Sequence, residues 1–176
     1  MFNISGIINE SIVDGEGLRI VIFEQGCSHN CKGCQNPGTH EFKDKTLMSL
    51  DELMKQIELD PLIDGVTLSG GDPFFQAEEN IQLIDRVKQL GLDVWAYTGF
   101  SWEEFYDYKT QGKQTANRPK ITDSMIEMLE KCDIIVDGQF EISKKSLSCT
   151  FRGSTNQRII DVQASLNRRE PITKEY

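Results

Sequence analysis

With only two histidines in 176 residues, the chain offers little basis for a Ser/His/Asp hydrolase constellation, and no paired carboxylates stand out for acid–base work. No stretch approaches the ~18 apolar residues that a membrane helix needs. The N-terminus lacks a basic segment leading into an apolar run and a small-residue cleavage site. A cytoplasmic protein is therefore expected. Positive charge is also scarce: a net charge of −9 and a pI near 4.8 argue against sequence-independent nucleic-acid binding, which depends on Lys and Arg neutralising phosphates. Gly15 and Gly17 have no third glycine at the dinucleotide-binding spacing, and no loop ends in Gly-Lys-Ser/Thr. No repeat, low-complexity tract or break in composition marks a second domain. Apolar content of 38% and charged content of 27% fit one globular domain over residues 1–176.

What the chain does have is a concentration of thiols. Cys27-Ser28-His29-Asn30-Cys31-Lys32-Gly33-Cys34 places three cysteines within eight residues. The total of five is odd, and a secreted disulfide framework would spread an even number through a shorter chain. Clustered thiolates select zinc, copper(I) or iron–sulfur clusters. A structural zinc would need a fourth ligand from His29, His40, Cys132 or Cys149. Cys132 and Cys149 are single and far apart, so they form no second ligand pair. Cys132 reads as a small hydrophobe at a helix end, and Cys149 as a loop thiol. A four-iron cube normally takes four thiolates, so three local ones would leave one iron open to an exogenous molecule. At this stage the spacing favours a cluster with an open iron, with zinc as the alternative.

Local patterns place this loop. Leu18–Glu24, rich in β-branched and aromatic residues, reads as a strand buried on both faces, and the cysteines follow it directly. Further strands are expected at 65–69, 92–97 and 134–136, with weaker ones at 2–8 and 158–162. Ser49 with Glu52 and Ser101 with Glu104 have capping-box spacing, Thr122 can cap a further helix, and a helix also fits the stripe Ile81, Ile84, Val87. Lys109–Lys120 reads as an exposed loop, and the polar end as lacking regular structure. The alternation of strands and helices predicts an α/β domain with a mostly parallel sheet. The cysteine loop, Gly70-Gly71-Asp72-Pro73, Thr98-Gly99 and Asp137-Gly138 would then converge at one sheet edge. Trp95, Trp102, Phe74 and Phe75 read as packing residues.

Cys27-x-x-x-Cys31-x-x-Cys34 resembles the signature of radical S-adenosylmethionine (SAM) enzymes, and Gly70-Gly71-Asp72-Pro73 resembles their glycine-rich cofactor motif. Val13-Asp14-Gly15-Glu16-Gly17-Leu18-Arg19 is similar to the start of glycyl-radical activating enzymes. Tyr97-Thr98-Gly99, Val136-Asp137-Gly138 and Phe151-Arg152-Gly153-Ser154-x-Asn156-Gln157 resemble the subgroup that activates anaerobic ribonucleoside-triphosphate reductase. The likeness covers about residues 5–162, beyond which lies the polar tail. Gly33 stands where many radical SAM enzymes have an aromatic residue, and Asp72 where many have Glu; both features are shared by that subgroup. Glu16 replaces a proline common in the upstream turn.

The resemblance implies an incomplete (βα) barrel of radical SAM type and an oxidoreductase activity. Cys27, Cys31 and Cys34 would hold a 4Fe-4S cluster whose open iron chelates S-adenosyl-L-methionine. One-electron reduction would release a 5′-deoxyadenosyl radical that takes hydrogen from a glycine of the partner. Gly33, Cys34, Gln35, Gly70, Gly71 and Asp72 are the implied cofactor-binding residues, and no catalytic residue is implied beyond the cluster ligands. Asp72 has two readings, orienting the turn or capping the next helix. Thr98, Asp137 and Asn156 are pocket candidates, each with an ordinary cap, turn or loop role as the alternative, and Arg152 can face the partner. The implied partners are the large catalytic subunit of anaerobic ribonucleoside-triphosphate reductase and a one-electron donor such as flavodoxin. Activation of a formate-lyase type enzyme and a zinc-stabilised non-catalytic module are the competing readings.

Overall fold

The computed structural model describes residues 1–176. Its strands are β1 (Phe2–Ser11), β2 (Arg19–Glu24), β3 (Thr46–Met48), β4 (Gly65–Gly70), β5 (Asp93–Tyr97), β6 (Ile134–Asp137), β7 (Arg158–Asp161) and β8 (Ile172–Thr173). The helices are α1 (Leu50–Glu58), α2 (Ala77–Gln89), α3 (Trp102–Gln111), α4 (Asp123–Lys131) and α5 (Val162–Arg168). Ser49 and Ser101 each complete the expected reciprocal capping box, and the Thr122 hydroxyl accepts from the Met125 amide. No helix is long and apolar enough to cross a membrane.

All eight strands form one sheet in the order β3-β1-β2-β4-β5-β6-β7-β8. The sheet is mixed, which corrects the expectation of a mostly parallel one. Only β2, β4, β5 and β6 run parallel, while β1, β3, β7 and β8 pair antiparallel at the flanks. The reason is the connections. No α-helix separates β1 from β2 or β6 from β7, and without a helical crossover a neighbouring strand returns antiparallel. The polar tail, expected to be irregular, instead forms α5 and β8. Asp161 caps α5 by accepting from the Ala164 amide at 2.9 Å, and β8 pairs with β7. One seven-residue helix and a two-residue strand are too short to leave a readable period.

Alternation along the strands sorts side chains onto two faces. Ile20, Ile22, Val66, Leu68, Val94, Ala96, Ile135 and Ile160 share one core with Leu53, Met54 and Ile57 of α1, Leu83, Ile84 and Val87 of α2, Phe105 of α3 and Leu129 of α4. The other face carries a small separate cluster of Trp95, Ile134, Val136 and Ile159, with Tyr97 and Phe151 against it. The helical layer therefore covers one face only. The turn between β1 and β2 folds over the other. Arg19, wholly buried, holds it there: Nε donates to Thr67 Oγ1 at 2.7 Å and Nη1 to the Glu16 carbonyl at 2.9 Å. Its guanidinium also pairs with Asp93 and lies 5.3 Å from the Trp95 ring centre.

Glu24 is the anomaly of the core. It is fully buried at the end of β2, with Asn80 as its polar neighbour, yet neither carboxylate oxygen has a well-formed hydrogen bond. Burial, reinforced by Asp72 and Glu79, raises its pKa well above 4.5 and keeps it neutral. Below the ordinary carboxyl range neither folded nor unfolded chain ionises this group, and it makes no pH-dependent contribution. As pH rises above that range the unfolded chain ionises while the fold does not, so stability falls. Glu24→Gln is expected to raise stability by about 1–3 kcal/mol at pH 8. The gain should shrink towards pH 4, as read from urea midpoints at the two pH values.

Candidate metal centre

Each parallel strand ends in one of the loops singled out from the sequence, and the backbone ties them together. The Gly71 amide donates to the Glu24 carbonyl at 2.8 Å, and the Asp72 amide to the Gly26 carbonyl at 3.0 Å. Gly26 and Cys27 donate to the Thr39 and His40 carbonyls at 2.8 and 3.0 Å, which closes the cysteine loop on itself. Two glycines permit this closeness. Gly70 has φ +96°, a region that bulky residues avoid, and a Cβ on Gly71 would stand 2.3 Å from the Gly26 carbonyl oxygen.

Between these loops lies a cavity of about 580 Å³. Cys27, Cys31, Cys34, Gln35, Gly70, Gly71 and Asp72 all line it. The three thiols are half-buried and unpaired. Burial, with the Asp72 charge next, pushes the Cys27 thiol up to about 12; burial also raises Cys31. A cation would reverse this, because a coordinating thiol is deprotonated. The Asn36 amide already donates to Cys34 Sγ at 3.3 Å, the kind of contact that steadies a thiolate.

Asp72 organises the wall. Its Oδ1 accepts from the Phe74 amide at 3.0 Å, capping the 3-10 turn Pro73–Gln76. Its Oδ2 accepts from Thr98 Oγ1 at 2.8 Å and the Gly99 amide at 2.9 Å, and lies 2.7 Å from His29 Nε2. Both readings of Asp72 therefore hold at once. Three N–H and O–H donors and the His29 ring nitrogen surround the roughly four lone-pair positions a carboxylate has. His29, within the cysteine loop, is buried against Phe100 at a ring distance of 4.7 Å, and Gly99 passes so close that a Cβ there would stand 2.5 Å from the imidazole.

Other expected residues lie elsewhere. Gly33 is not among the lining residues; a Cβ on it would meet the Ile142 side chain at 2.6 Å. Asp137 is buried, accepts from the Trp102 amide at 2.8 Å and pairs with Arg158, away from the cavity. Asn156 donates to the Gln139 carbonyl at 2.8 Å and does not line the cavity either. Thr98 and Arg152 do line it. Cys132 is a buried helix cap, as expected. Cys149 lies on the cavity wall, together with Tyr97 and Phe151. Sequence reasoning missed Tyr97 as part of this wall, because it alternates onto the uncovered face of a strand whose Val94 and Ala96 are core, while Trp95 packs in the small cluster beneath, as expected. The period-2 pattern of β5 was the available signal.

A family profile described as a 4Fe-4S single cluster domain matches residues 13–160. The anaerobic ribonucleoside-triphosphate reductase-activating protein of Haemophilus influenzae is 33% identical, over 84% of this chain and 90% of its own. The chain belongs to that family. Its counterpart from Enterobacteria phage T4 is also 33% identical, over 84% of this chain and 86% of its own. Among solved structures, QueE from Escherichia coli overlaps 77% of this chain and 70% of its own, with a TM-score of 0.49 and 19% identity.

Membership of a single-cluster family agrees with the donor set: three half-buried thiols on one loop, facing a cavity, one of them accepting from the Asn36 amide. Asp72 can be tested without any cluster. Asp72→Asn replaces an acceptor with a donor and faces it towards donors, so metal-free protein is expected to lose about 1–3 kcal/mol. Amide exchange at Gly99 should speed up in that variant.

Proposed function

We infer that this protein is the activase of an anaerobic ribonucleoside-triphosphate reductase, a radical SAM enzyme that generates a glycyl radical on its partner. The observation that carries this reading is the shared cavity: three thiols from one loop and a double-glycine turn from the next strand face the same space. We assign Cys27, Cys31 and Cys34 as the ligands of a 4Fe-4S cluster. When bound, cluster and SAM together supply a one-electron cleavage whose radical product removes hydrogen from a glycine.

The chain's own residues place and shield that chemistry. The Gly70-Gly71 turn brings backbone to the cavity edge, where a ligand's amino group can approach. Gln35 adds an amide beside Cys34. Asp72, with its donors already supplied by the protein, fixes the turn, the cysteine loop and Thr98-Gly99 relative to one another. Gly33 keeps the cysteine loop clear of Ile142 and acts on the site through loop shape. The match to a 4Fe-4S single cluster profile over residues 13–160 favours the cluster over the zinc-module reading.

The one-sided helical layer and open sheet edges are read as an incomplete (βα) barrel forming one domain over residues 1–176. Its uncovered face leaves room for a polypeptide loop from the reductase's large catalytic subunit. A cytoplasmic setting and a flavodoxin-like electron donor suit this chemistry.

Cys34→Ala is expected to abolish 5′-deoxyadenosine release by reduced, iron-reconstituted protein, and Cys149→Ala to leave iron and sulfide content unchanged. Anaerobically purified protein carrying zinc and no iron or sulfide would overturn the assignment. Glycyl-radical detection on the reductase by electron paramagnetic resonance completes the test.

A further inference from the structure

Two walls of the cavity have no helix behind them. One is the turn Ile12–Asp14 and the other is the segment Thr150–Gly153. Phe151 in the second wall has φ +55°, a left-handed backbone that a bulky residue keeps only when its surroundings hold it. Three contacts do so. The Tyr97 hydroxyl donates to the Phe151 carbonyl at 2.8 Å. The Phe151 ring stands edge-on to Trp95 at 5.6 Å and to Tyr176 at 5.2 Å.

Tyr176 reaches the other wall as well. Its ring lies 5.9 Å from Trp95, and its hydroxyl donates to Glu16 Oε2 at 3.0 Å. Glu16 belongs to the turn that forms the first wall, and Arg19 grips its carbonyl at 2.9 Å. Burial and the Glu16 carboxylate push the Tyr176 phenol up to about 12, so it remains a donor at neutral pH. Beside it, Glu175 pairs with Arg152 at 3.5 Å, and Arg152 Nη1 donates to the Gln157 carbonyl at 3.2 Å. The Lys174 amide fixes the approach of this segment by donating to the Ile159 carbonyl at 2.8 Å.

We propose that Glu175 and Tyr176 are positioning residues that clasp the two uncovered walls together and so set the width of the cavity for the adenosyl group and the incoming glycine. This rests on the reading that SAM occupies this cavity. Neither residue touches the thiols or the glycine turn. They act through Phe151, Arg152 and Glu16.

The test uses cluster-loaded protein under anaerobic conditions, with labelled SAM in equilibrium dialysis and trypsin cleavage after Arg152 as readouts. Losing the ring contacts in Tyr176→Ala is expected to weaken SAM binding about tenfold. It should also open the Arg152–Gly153 bond to trypsin and raise the 5′-deoxyadenosine released per glycyl radical. Tyr176→Phe keeps the ring against Trp95 and Phe151 but releases Glu16, so it should weaken SAM binding by part of the alanine effect, about two- to fivefold. Tyr176→Ala protein that holds full iron, melts earlier and still binds SAM as tightly as wild type would overturn the proposal. If Tyr176→Ala does not fold, Glu175→Ala decides. Glu175 is 78% exposed, so that variant keeps the core and should still speed cleavage after Arg152; an unchanged rate overturns the clasp. Wild-type protein that binds SAM but forms no glycyl radical would refute the activase reading and leave the clasp to be judged by binding and proteolysis.

Discussion

The site depends on one buried carboxylate. Asp72 accepts from the 3-10 turn that follows β4, from the loop after β5 at two points, and stands within bonding distance of a histidine inside the cysteine loop. Three loops that are distant in sequence are thereby fixed to one side chain that is 2% exposed. Away from water such contacts are stronger, and leaving any of their partners unpaired is costly. Around Asp72 the wall is held by hydrogen bonds that its own polar groups already make.

The sheet supplies the frame for that carboxylate. The four parallel strands bring their loops to one edge, and the antiparallel flanks extend the sheet without adding helices to the second face. That face is left to Arg19, Trp95, Tyr97 and their neighbours, and it is where the cavity opens. On the function proposed above, this uncovered side is where a glycine of the partner would enter. The aromatic and ionic contacts of Phe151, Tyr176, Glu16 and Arg152 then do locally what a helix would otherwise do.

Glu24 shows a different economy. An acid at the end of β2, under the glycine turn, is held neutral by burial and has no well-formed hydrogen bond. Its backbone is indispensable to the loop, because the Gly71 amide bonds its carbonyl and a Cβ on Gly70 would collide with it. Burial favours the neutral form of its side chain.

The local chemistry was legible in the chain itself. Thiol spacing, the two adjacent glycines, the capping boxes and the strand–helix alternation are short-range signals, and each corresponds to a short-range structural need. Family membership followed from the same residues. What needed the tertiary structure was everything set by pairing across distance. The antiparallel flanks depend on which strands meet. The burial of His29 against Asp72 depends on two loops 43 residues apart. The pairing of Asp137 with Arg158 depends on the antiparallel register of β6 and β7, and the placing of Gly33 against Ile142 on the path of a loop, where no period exists to read. The sequence by itself determined that a soft-metal loop and a glycine turn share a sheet edge. Only the fold decided that one carboxylate locks them together and that the polar tail returns to contact both walls beside the open face, because both arise from contacts whose partners no local pattern can name.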